Sequence, residues 1–321
     1  MLLIFRGERY CFSFFDIDLN LCFSSRYMAH FVALRPTARL LAEMYFFKQP
    51  AKILCMRPDT LAQLLTYANI HANSNVLLAE TCQGFVTGAI LERLGGSAGK
   101  ITQLHHGNIL RAILEQYNYR KNDLKGRLCS FPLESLDDLR RDMTSLSIEE
   151  LVRLFYAPSK NRDNSTPGST GEIDERSGEK VGEKRKKLHE SSKSIPDTKV
   201  TRLTQEEREA EGMMAISSFV AGNFDALVIA TKFHPKKILL STWGFLQQSQ
   251  PFVVYCQHKE PLMECFVTLK EMGEVAAMEL TETWCRGVQV LPNRTHPDIV
   301  MSATGGYLLR GLKVEKCVEQ E

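Results

Sequence analysis

One segment of the chain, residues 76–94, constrains the fold more than any other. The apolar run at 76–80 predicts a buried strand, and a helical pattern follows it after a short turn. In nucleotide-binding α/β domains a glycine-rich turn occupies this place, because a backbone that approaches a ligand closely needs residues without a Cβ. Here only Gly84 and Gly88 remain, and bulky glutamine and phenylalanine side chains flank the first of them. The sequence therefore predicts the scaffold of such a domain with a degraded ligand turn.

Strand and helix patterns alternate on both sides of a long polar segment. Residues 134–204 are poor in apolar side chains, and we expect a disordered, charged insertion there, because this composition cannot bury enough surface to offset the entropy of ordering. We assign residues 36–133 and 205–321 to the two halves of one α/β domain. Residues 1–35 are interpreted as a remnant of a larger N-terminal domain or as an artefact of the predicted start.

The remaining periodicities predict the secondary structure of both halves. Thr37 is the predicted N-cap of a first helix, and Asp59 is the predicted N-cap of a second. Strands are expected at 100–104, 128–133, 225–230 and 251–255, and helices at 108–117, 205–220 and 261–272. Their alternation predicts a mainly parallel sheet with right-handed crossovers.

Two long strands are expected near the end of the chain, at 284–291 and 307–314. Because no helix separates them, we predict an antiparallel hairpin at the edge of the sheet. A proline-bounded loop at 292–297 joins them. Long unpaired edges invite association, so residues 307–309 are expected at a subunit contact.

Composition excludes several classes of protein. The 321 residues are 44% hydrophobic and carry a net charge of +2, which is enough apolar material for a sizeable core. The nine cysteines are scattered without a C-x-x-C pair, which favours reduced thiols in the cytosol or nucleus over a disulfide framework or a zinc site. No apolar run approaches the roughly 18 residues of a spanning helix, so we expect no membrane association.

A basic run, Lys184-Arg185-Lys186-Lys187, lies in the polar segment. It is either a solvated charge run in a linker or a nuclear-import or RNA-contacting element, and the sequence leaves both interpretations open. We predict a nuclear location.

Several long phrases of the chain recur in order in a known family. They are RPDTLAQLL at 57–65, ETCQG at 80–84, LERLGG at 91–96, FHP at 233–235, FVVYCQHKEPL at 252–262, ETW at 282–284, VLPNRTHP at 290–297 and GGYLL at 305–309. On these phrases the chain resembles the non-catalytic subunit of the eukaryotic tRNA (adenine-58-N1)-methyltransferase, over about residues 27–311 with a gap across the polar segment.

The resemblance implies a fold and a function. The fold is α/β: a Rossmann-like class I methyltransferase fold, mainly parallel with a C-terminal antiparallel hairpin and a degenerate cofactor site. The function is that of a non-catalytic, tRNA-binding subunit that pairs with a catalytic methyltransferase subunit, the pairs assembling as a heterotetramer. The partner binds S-adenosylmethionine and methylates adenine-58 in the T-loop of tRNA. Members of the family also carry an N-terminal β-barrel domain, so residues 1–35 would be a remnant of that β domain.

The residues agree with an inactive site. An active methyltransferase of this type needs a glycine turn, an acid after the second strand to hold the ribose hydroxyls, and an acid at the end of the fourth strand. The turn is degraded, residues 104–108 contain no carboxylate, and residues 230–232 read Ala-Thr-Lys. We therefore expect no catalytic residues, no bound cofactor and no metal.

Basic side chains are the candidate tRNA-binding residues. The family position of Lys232 is basic, so the resemblance implies a tRNA contact there, and Lys236 and Lys237 extend the patch. Such cations contact phosphates and position the RNA without reading its sequence. Arg294 and His296 form a second candidate patch. The alternatives are an exposed lysine without a partner and a proline-shaped connector.

Two further features have structural explanations that we prefer. His105-His106 suggests metal binding, but no companion ligands stand at suitable spacing, so a surface turn is favoured. Trp284 is interpreted as a core or interface anchor and not as a platform for base stacking.

Three functions compete at this point. The leading hypothesis is an inactive, methyltransferase-like subunit that shapes the tRNA site of an active partner. The rival is a divergent active S-adenosylmethionine-dependent RNA methyltransferase with an unusual cofactor turn. The third is an assembly factor that never touches RNA.

Overall fold

The computed structural model describes residues 2–5, 31–96, 98–107, 109, 111–156 and 205–316. The helices are α1 Ala38–Lys48, α2 Pro58–Tyr67, α3 Phe85–Leu94, α4 Lys121–Leu124, α5 Leu136–Asp142, α6 Ile148–Tyr156, α7 Gln205–Ala221, α8 Pro235–Trp243 and α9 Lys259–Met272. The strands are β1 Leu2–Phe5, β2 Phe31–Leu34, β3 Asn75–Glu80, β4 Lys100–His105, β5 Leu128–Pro132, β6 Ala226–Ala230, β7 Pro251–Cys256, β8 Val275–Trp284, β9 Val288–Gln289, β10 His296–Pro297 and β11 Thr304–Lys313.

A seven-stranded sheet organises these elements in the order β5-β4-β3-β6-β7-β11-β8. The five strands from β5 to β7 are parallel to one another, whereas β11 is antiparallel to both of its neighbours. The chain therefore has the predicted Rossmann-like architecture, a mainly parallel sheet that ends in an antiparallel hairpin. The order reverses between β3 and β6, which makes that pair the topological switch point of the sheet.

Both faces of the sheet are covered, and this explains why its central strands are continuous apolar runs. Every residue of β6 is buried, as is every residue of β3 after the first. The side chains of one face pack in a core with α1, α2 and α3, while those of the other pack with α5 to α9. Eight of the ten residues of α3 are buried, so this helix lies deep in its layer.

The helix predicted at 108–117 is wrong. The described part of this segment forms turns and a single 3₁₀ turn, Leu114–Tyr117, that ends at Asn118 in the left-handed region. The backbone N–H groups of Ile113 and Leu114 donate to the carbonyl of Gln83, at 3.0 and 3.4 Å. Because these donors bond to the turn before α3, they do not build a local helix.

The hairpin is displaced from its predicted position. Its first strand is β8, which ends at Trp284, where we expected the strand to begin. Residues 285–303 form an excursion, here called the arm, that carries the short β9–β10 ladder. The alternation of apolar and polar residues in β8 is weak, and a register shift beside Ala277, whose φ is +50°, marks a bulge in this outer strand.

We expected a subunit contact at residues 307–309 because we placed them in an edge strand. In the structure this strand is not at the edge of the sheet. Strand β11 is paired with β7 on one side and with β8 on the other. Leu308 and Leu309 are completely buried within the chain. The reason for expecting a partner at these residues is therefore removed.

The polar segment is partly structured. Residues 136–156, which we assigned to the disordered insertion, contribute α5 and α6, and Leu139 and Leu151 reach the core. The apolar side chains of these two helices are few but have helical spacing, so the composition of the segment did not reveal the helices. Residues 157–204, including the basic run, lie outside the described residues.

At the N-terminal end, β1 and β2 form an antiparallel ladder of their own. The residues between them, 6–30, lie outside the described part of the chain, so the interpretation of 1–35 as a domain remnant stays a prediction. No helix in the described ranges has both the length and the apolar character needed to cross a bilayer.

A buried lysine joins the last strand to α8. The Nζ of Lys313 donates to the carbonyl oxygens of Trp243, at 2.8 Å, and Leu246, at 2.6 Å. It also lies 5.7 Å from the centre of the Trp243 ring. Since carbonyls at a helix C-terminus attract a cation, this side chain fixes the end of α8.

Replacing Lys313 by Met is expected to lower the free energy of unfolding by about 2 kcal/mol, because two charge-assisted hydrogen bonds are lost while the aliphatic stem is kept. Urea unfolding of the full chain measures the change. Lys316→Met, at an exposed position, is the matched control and should change stability by less than about 0.5 kcal/mol. Equal stability of the two variants would contradict the proposed fixing role.

Candidate functional site

The carboxyl edge of the sheet, where β3 to β7 end, is the place at which open α/β sheets bind ligands. Here the loops after β3 and β6 are hydrogen-bonded to each other across the switch point. Thr81 N donates to Ala230 O at 3.1 Å, and Lys232 N donates to Thr81 Oγ1 at 2.9 Å. The thiol of Cys82 also donates to Ala230 O. The chain itself therefore closes the crevice between these two strands.

The turn before α3 keeps the glycine geometry but not the open face that a ligand requires. Gln83 and Gly84 both adopt left-handed conformations, with φ of +57° and +84°. A Cβ on Gly84 would lie 2.7 Å from Leu114 Cβ and 3.4 Å from Arg111 Cα. The close approach that a glycine permits is thus used by residues 111–114 of the same chain. These residues do not fit a nucleoside cofactor at this turn.

The backbone N–H groups at the start of α3 donate to the carboxylate of Glu80. It lies at the end of β3, is only 7% exposed, and accepts from Val86 N at 3.0 Å and Thr87 N at 3.2 Å. The Thr87 hydroxyl and the amide of Gln103 also donate to it. Burial raises the pKa of this carboxyl, against the hydrogen bonds, which lower it. An internal anion therefore caps the helix N-terminus.

The two histidines at the end of β4 have different partners. His105 Nδ1 lies 2.8 Å from Gly107 O, and burial lowers the pKa of this imidazole. His106 Nδ1 lies 2.5 Å from a carboxylate oxygen of Glu134, and its ring meets Phe233 edge to face at 5.0 Å. Within the described ranges, no three His, Cys, Asp or Glu side chains come together as metal ligands.

Three predicted tRNA-binding residues lie together at the carboxyl edge. Lys232 is exposed just after β6, with its Nζ 5.3 Å from the centre of the Phe233 ring. Lys236 is half-buried and Lys237 is exposed in the first turn of α8. His234 caps that helix, since its Nδ1 accepts from Lys236 N at 3.4 Å. The structure thus places the three lysines within six residues on one surface.

The other two predicted residues, Arg294 and His296, are exposed in the arm. Strand β8 runs parallel to β7, because both pair antiparallel with β11, so the arm leaves the sheet at the same carboxyl edge. Strands lie about 4.8 Å apart, so the base of the arm is roughly 14 Å from the end of β6. Both candidate patches therefore share one edge, separated by two strands.

The base of the arm is clamped by an arginine that the sequence analysis did not single out. Arg57 Nη1 donates to Ala303 O at 2.5 Å and to Cys285 O at 3.3 Å. Its Nε donates to Asp59 Oδ1 at 2.9 Å. The motif RPDT signalled this position, but nothing local in it reveals partners some 230 and 250 residues away.

The expected capping role of Asp59 is therefore wrong. Arg57 is the N-cap of α2 and Pro58 is its first residue, so Asp59 lies inside the first turn, where its carboxylate accepts from the guanidinium of Arg57. In the same turn, Thr60 Oγ1 lies 2.7 Å from Thr283 Oγ1. Helix α2 is thus joined to the hairpin by side chains on both sides of the arm.

Trp284 stands where β8 gives way to the arm and is 62% exposed. Its interpretation as a core residue is wrong, whereas that as an interface anchor stays a prediction. Apolar side chains along the arm are also exposed, and they include Val290, Ile299 and Val300. The arm therefore presents an apolar surface beside the basic one.

Comparison with protein families identifies relatives of the chain. The model described as the Gcd10p family matches residues 24–207. The tRNA (adenine(58)-N(1))-methyltransferase non-catalytic subunit TRM6 of Mus musculus is 38% identical over 308 residues, which are 90% of this chain and 62% of that protein. The corresponding protein of Dictyostelium discoideum is 30% identical over 89% of this chain and 52% of its own length. The chain thus spans a little over half of these relatives.

Two solved structures were compared with the fold. The tRNA (m1A58) methyltransferase TrmI from Aquifex aeolicus superposes with a TM-score of 0.49 and 14% identity, over 89% of this chain and 79% of that one. An S-adenosylmethionine-dependent O-methyltransferase from Thermotoga maritima also has a TM-score of 0.49, with 13% identity over 89% of this chain and 74% of that one.

The Arg57–Asp59 pair predicts a pH dependence of stability. The hydrogen bond from Arg57 lowers the pKa of Asp59 below its usual 3.8, so the pair stabilises the fold above that pH and is lost as pH falls through the folded-state value. The difference in melting temperature between the native chain and Asp59→Asn should therefore be largest near pH 6, begin to shrink as the pH falls below about 4, and vanish only below the folded-state pKa of Asp59. A difference that grew towards low pH would contradict this assignment.

Proposed function

The chain belongs to the Gcd10p family, and from this premise we propose that it is the non-catalytic subunit of a tRNA methyltransferase complex. In this role it binds tRNA and scaffolds the catalytic subunit that methylates adenine-58 in the T-loop. The relatives are named as non-catalytic subunits of a tRNA (adenine(58)-N(1))-methyltransferase, and the chain covers part of their length. The proposal extends that function to the residues of this chain.

One observation carries the non-catalytic part of the proposal: the crevice is filled by the chain. Residues 111–114 cover Gly84, and Thr81 bonds to both Ala230 and Lys232 across the switch point. A methyl donor needs the space that these contacts occupy. The strand β6 also ends in alanine, threonine and lysine, none of which supplies a carboxylate to hold an adenine amino group.

The carboxyl edge supports an RNA contact. Lys232 and Lys237 are exposed there, and Lys236 lies between them, so the edge presents several cations to a phosphate backbone. Phosphate contacts of this kind position RNA and give binding a strong salt dependence. Arg294 and His296 extend the proposed contact along the arm. The RNA would then lie along one edge of the sheet, from α8 to the arm.

The proposed partner is a catalytic methyltransferase subunit with an intact glycine turn, in a heterotetramer of two heterodimers. The exposed apolar side chains of the arm support a protein partner, because contiguous exposed apolar surface commonly marks an interface. The mass of the purified complex tests the stoichiometry, and a complex with one copy of each chain would exclude the tetramer.

We also propose a nuclear location, for which the basic run at 184–187 is the candidate signal. A fluorescent fusion of the full chain tests it. Exclusion of that fusion from the nucleus would contradict the proposal.

Replacing Lys232, Lys236 and Lys237 together by Ala in the complex is expected to weaken tRNA binding at all salt concentrations. Each lost phosphate contact lowers the slope of log K against log salt by up to about 0.9, so the slope should fall by about 2 to 3. Filter binding of labelled tRNA between low and moderate salt measures it.

The matched control replaces Lys100, Lys125 and Lys270, three exposed lysines at the opposite, amino edge of the sheet. It removes the same charge and should leave the slope unchanged. If the carboxyl-edge variant kept full affinity and slope while the complex still assembled, the chain would be an assembly factor without an RNA contact there.

S-Adenosylmethionine is expected not to bind this chain, since its own residues fill the crevice. Equilibrium dialysis of the labelled cosubstrate against the full chain should show no saturable binding up to about 1 mM, a limit that corresponds to less than about 4 kcal/mol of binding free energy. The catalytic partner serves as the positive control. Micromolar binding by this chain would favour the rival hypothesis, a divergent active methyltransferase.

A further inference from the structure

A half-buried arginine, Arg111, lies near the ends of β3 and β4. Arg111 Nε donates to Gln103 Oε1 at 3.1 Å, and the amide nitrogen of Gln103 in turn donates to Glu80 Oε1 at 3.2 Å. The Cα of Arg111 is also one of the atoms nearest to the open side of Gly84. The guanidinium therefore stands beside the degraded turn, at the edge where a sheet of this kind binds its ligands.

The charges of two carboxylates act on this cation, although neither acid forms a salt bridge with it. Glu80 lies at the end of β3, and Glu211 lies on α7, where it accepts from Ser130 Oγ at 3.3 Å. Burial raises the pKa of both carboxyls, and the charge of Arg111 lowers each of them. The cation therefore compensates part of the cost of keeping two acids away from water.

The hydrogen bonding of the Arg111 guanidinium is incomplete. Its Nη2 is buried and has no hydrogen-bond partner in the structure. A guanidinium offers five donors in a rigid fork, and a site that had been shaped around it would supply acceptors for them. One donor of the guanidinium is therefore left unsatisfied in this site.

From these contacts we propose that Arg111 is a built-in ligand: its guanidinium occupies the crevice as a tethered cation, joins the end of β3 to β4 through Gln103, and offsets the charges of Glu80 and Glu211. The chemical class that the site accepts is thus a small planar cation. The stability that an enzyme of this architecture draws from a bound ligand is here supplied by the chain itself. This inference rests on the proposed function in one respect only, namely that the crevice is not a cofactor site.

The test is chemical rescue. Arg111→Ala in the full chain removes the cation and leaves space beside Gln103. We expect the melting temperature to fall by about 5 °C, because a charge-assisted hydrogen bond is lost together with the cation that offsets the charges of Glu80 and Glu211. Methylguanidinium at about 10 mM, a concentration far below that used for denaturation, should restore at least half of the loss. Methylurea, which has the same shape without charge, should restore none.

Arg127→Ala is the matched control. Arg127 also has a buried Nη2 without a partner, but its Nε donates to the backbone carbonyl of Gly99, at 3.3 Å, and not into a carboxylate site. This variant should not respond to methylguanidinium. An equal response of both variants, or equal rescue by methylurea, would overturn the proposal.

Arg111→Lys keeps the inference testable if the alanine variant does not fold. It retains the charge but loses the bond to Gln103, so its melting temperature should lie between those of the native chain and a charge-free Arg111→Met variant. If the lysine and methionine variants melted together, the charge would have no role in the crevice. Failure here is distinct from failure of the proposed function, which would show as binding of S-adenosylmethionine by the native chain.

Discussion

The hydrogen bonds across the switch point, between the loops after β3 and β6, are the constraint on which the rest of the structure depends. At a switch point the loops after the two strands run in opposite directions and leave a crevice. The backbone donors in that crevice need hydrogen-bond partners. In this chain Thr81 and Ala230 supply them, and residues 111–114 cover the remaining face of Gly84. The edge is therefore complete without a ligand, and the basic side chains beside it are available for other contacts.

The architecture was predictable because its signals are local. A buried parallel strand is an apolar run, and β3, β4, β5, β6 and β7 all lie close to their predicted positions. The helix predicted at 108–117 was wrong because its donors bond to Gln83, about 30 residues earlier. Strand β8 was misplaced because an outer strand is only half-buried, so its alternation is weak, and a bulge interrupts it further.

The site was predictable only in part, for a related reason. The glycine turn and the missing acids are features of residue type, and they are visible in the sequence. Arg111 and Arg57 are not, since the significance of each depends on groups that the fold brings from far along the chain: Glu211 for the first, and the carbonyls of Cys285 and Ala303 for the second. The basic residues at 232–237 were identified from the resemblance to the family and from their place after a predicted strand, and their role in RNA binding stays a proposal.

The clamp formed by Arg57 holds the arm at both of its ends and at no point between them. Because one guanidinium fixes residues 285 and 303 to α2, the path of the intervening chain has no effect on where the sheet begins and ends. Insertions or deletions within that loop are thus decoupled from the core. Outside the family phrase at 290–297, the arm can therefore be lengthened or shortened while the sheet beneath it stays the same.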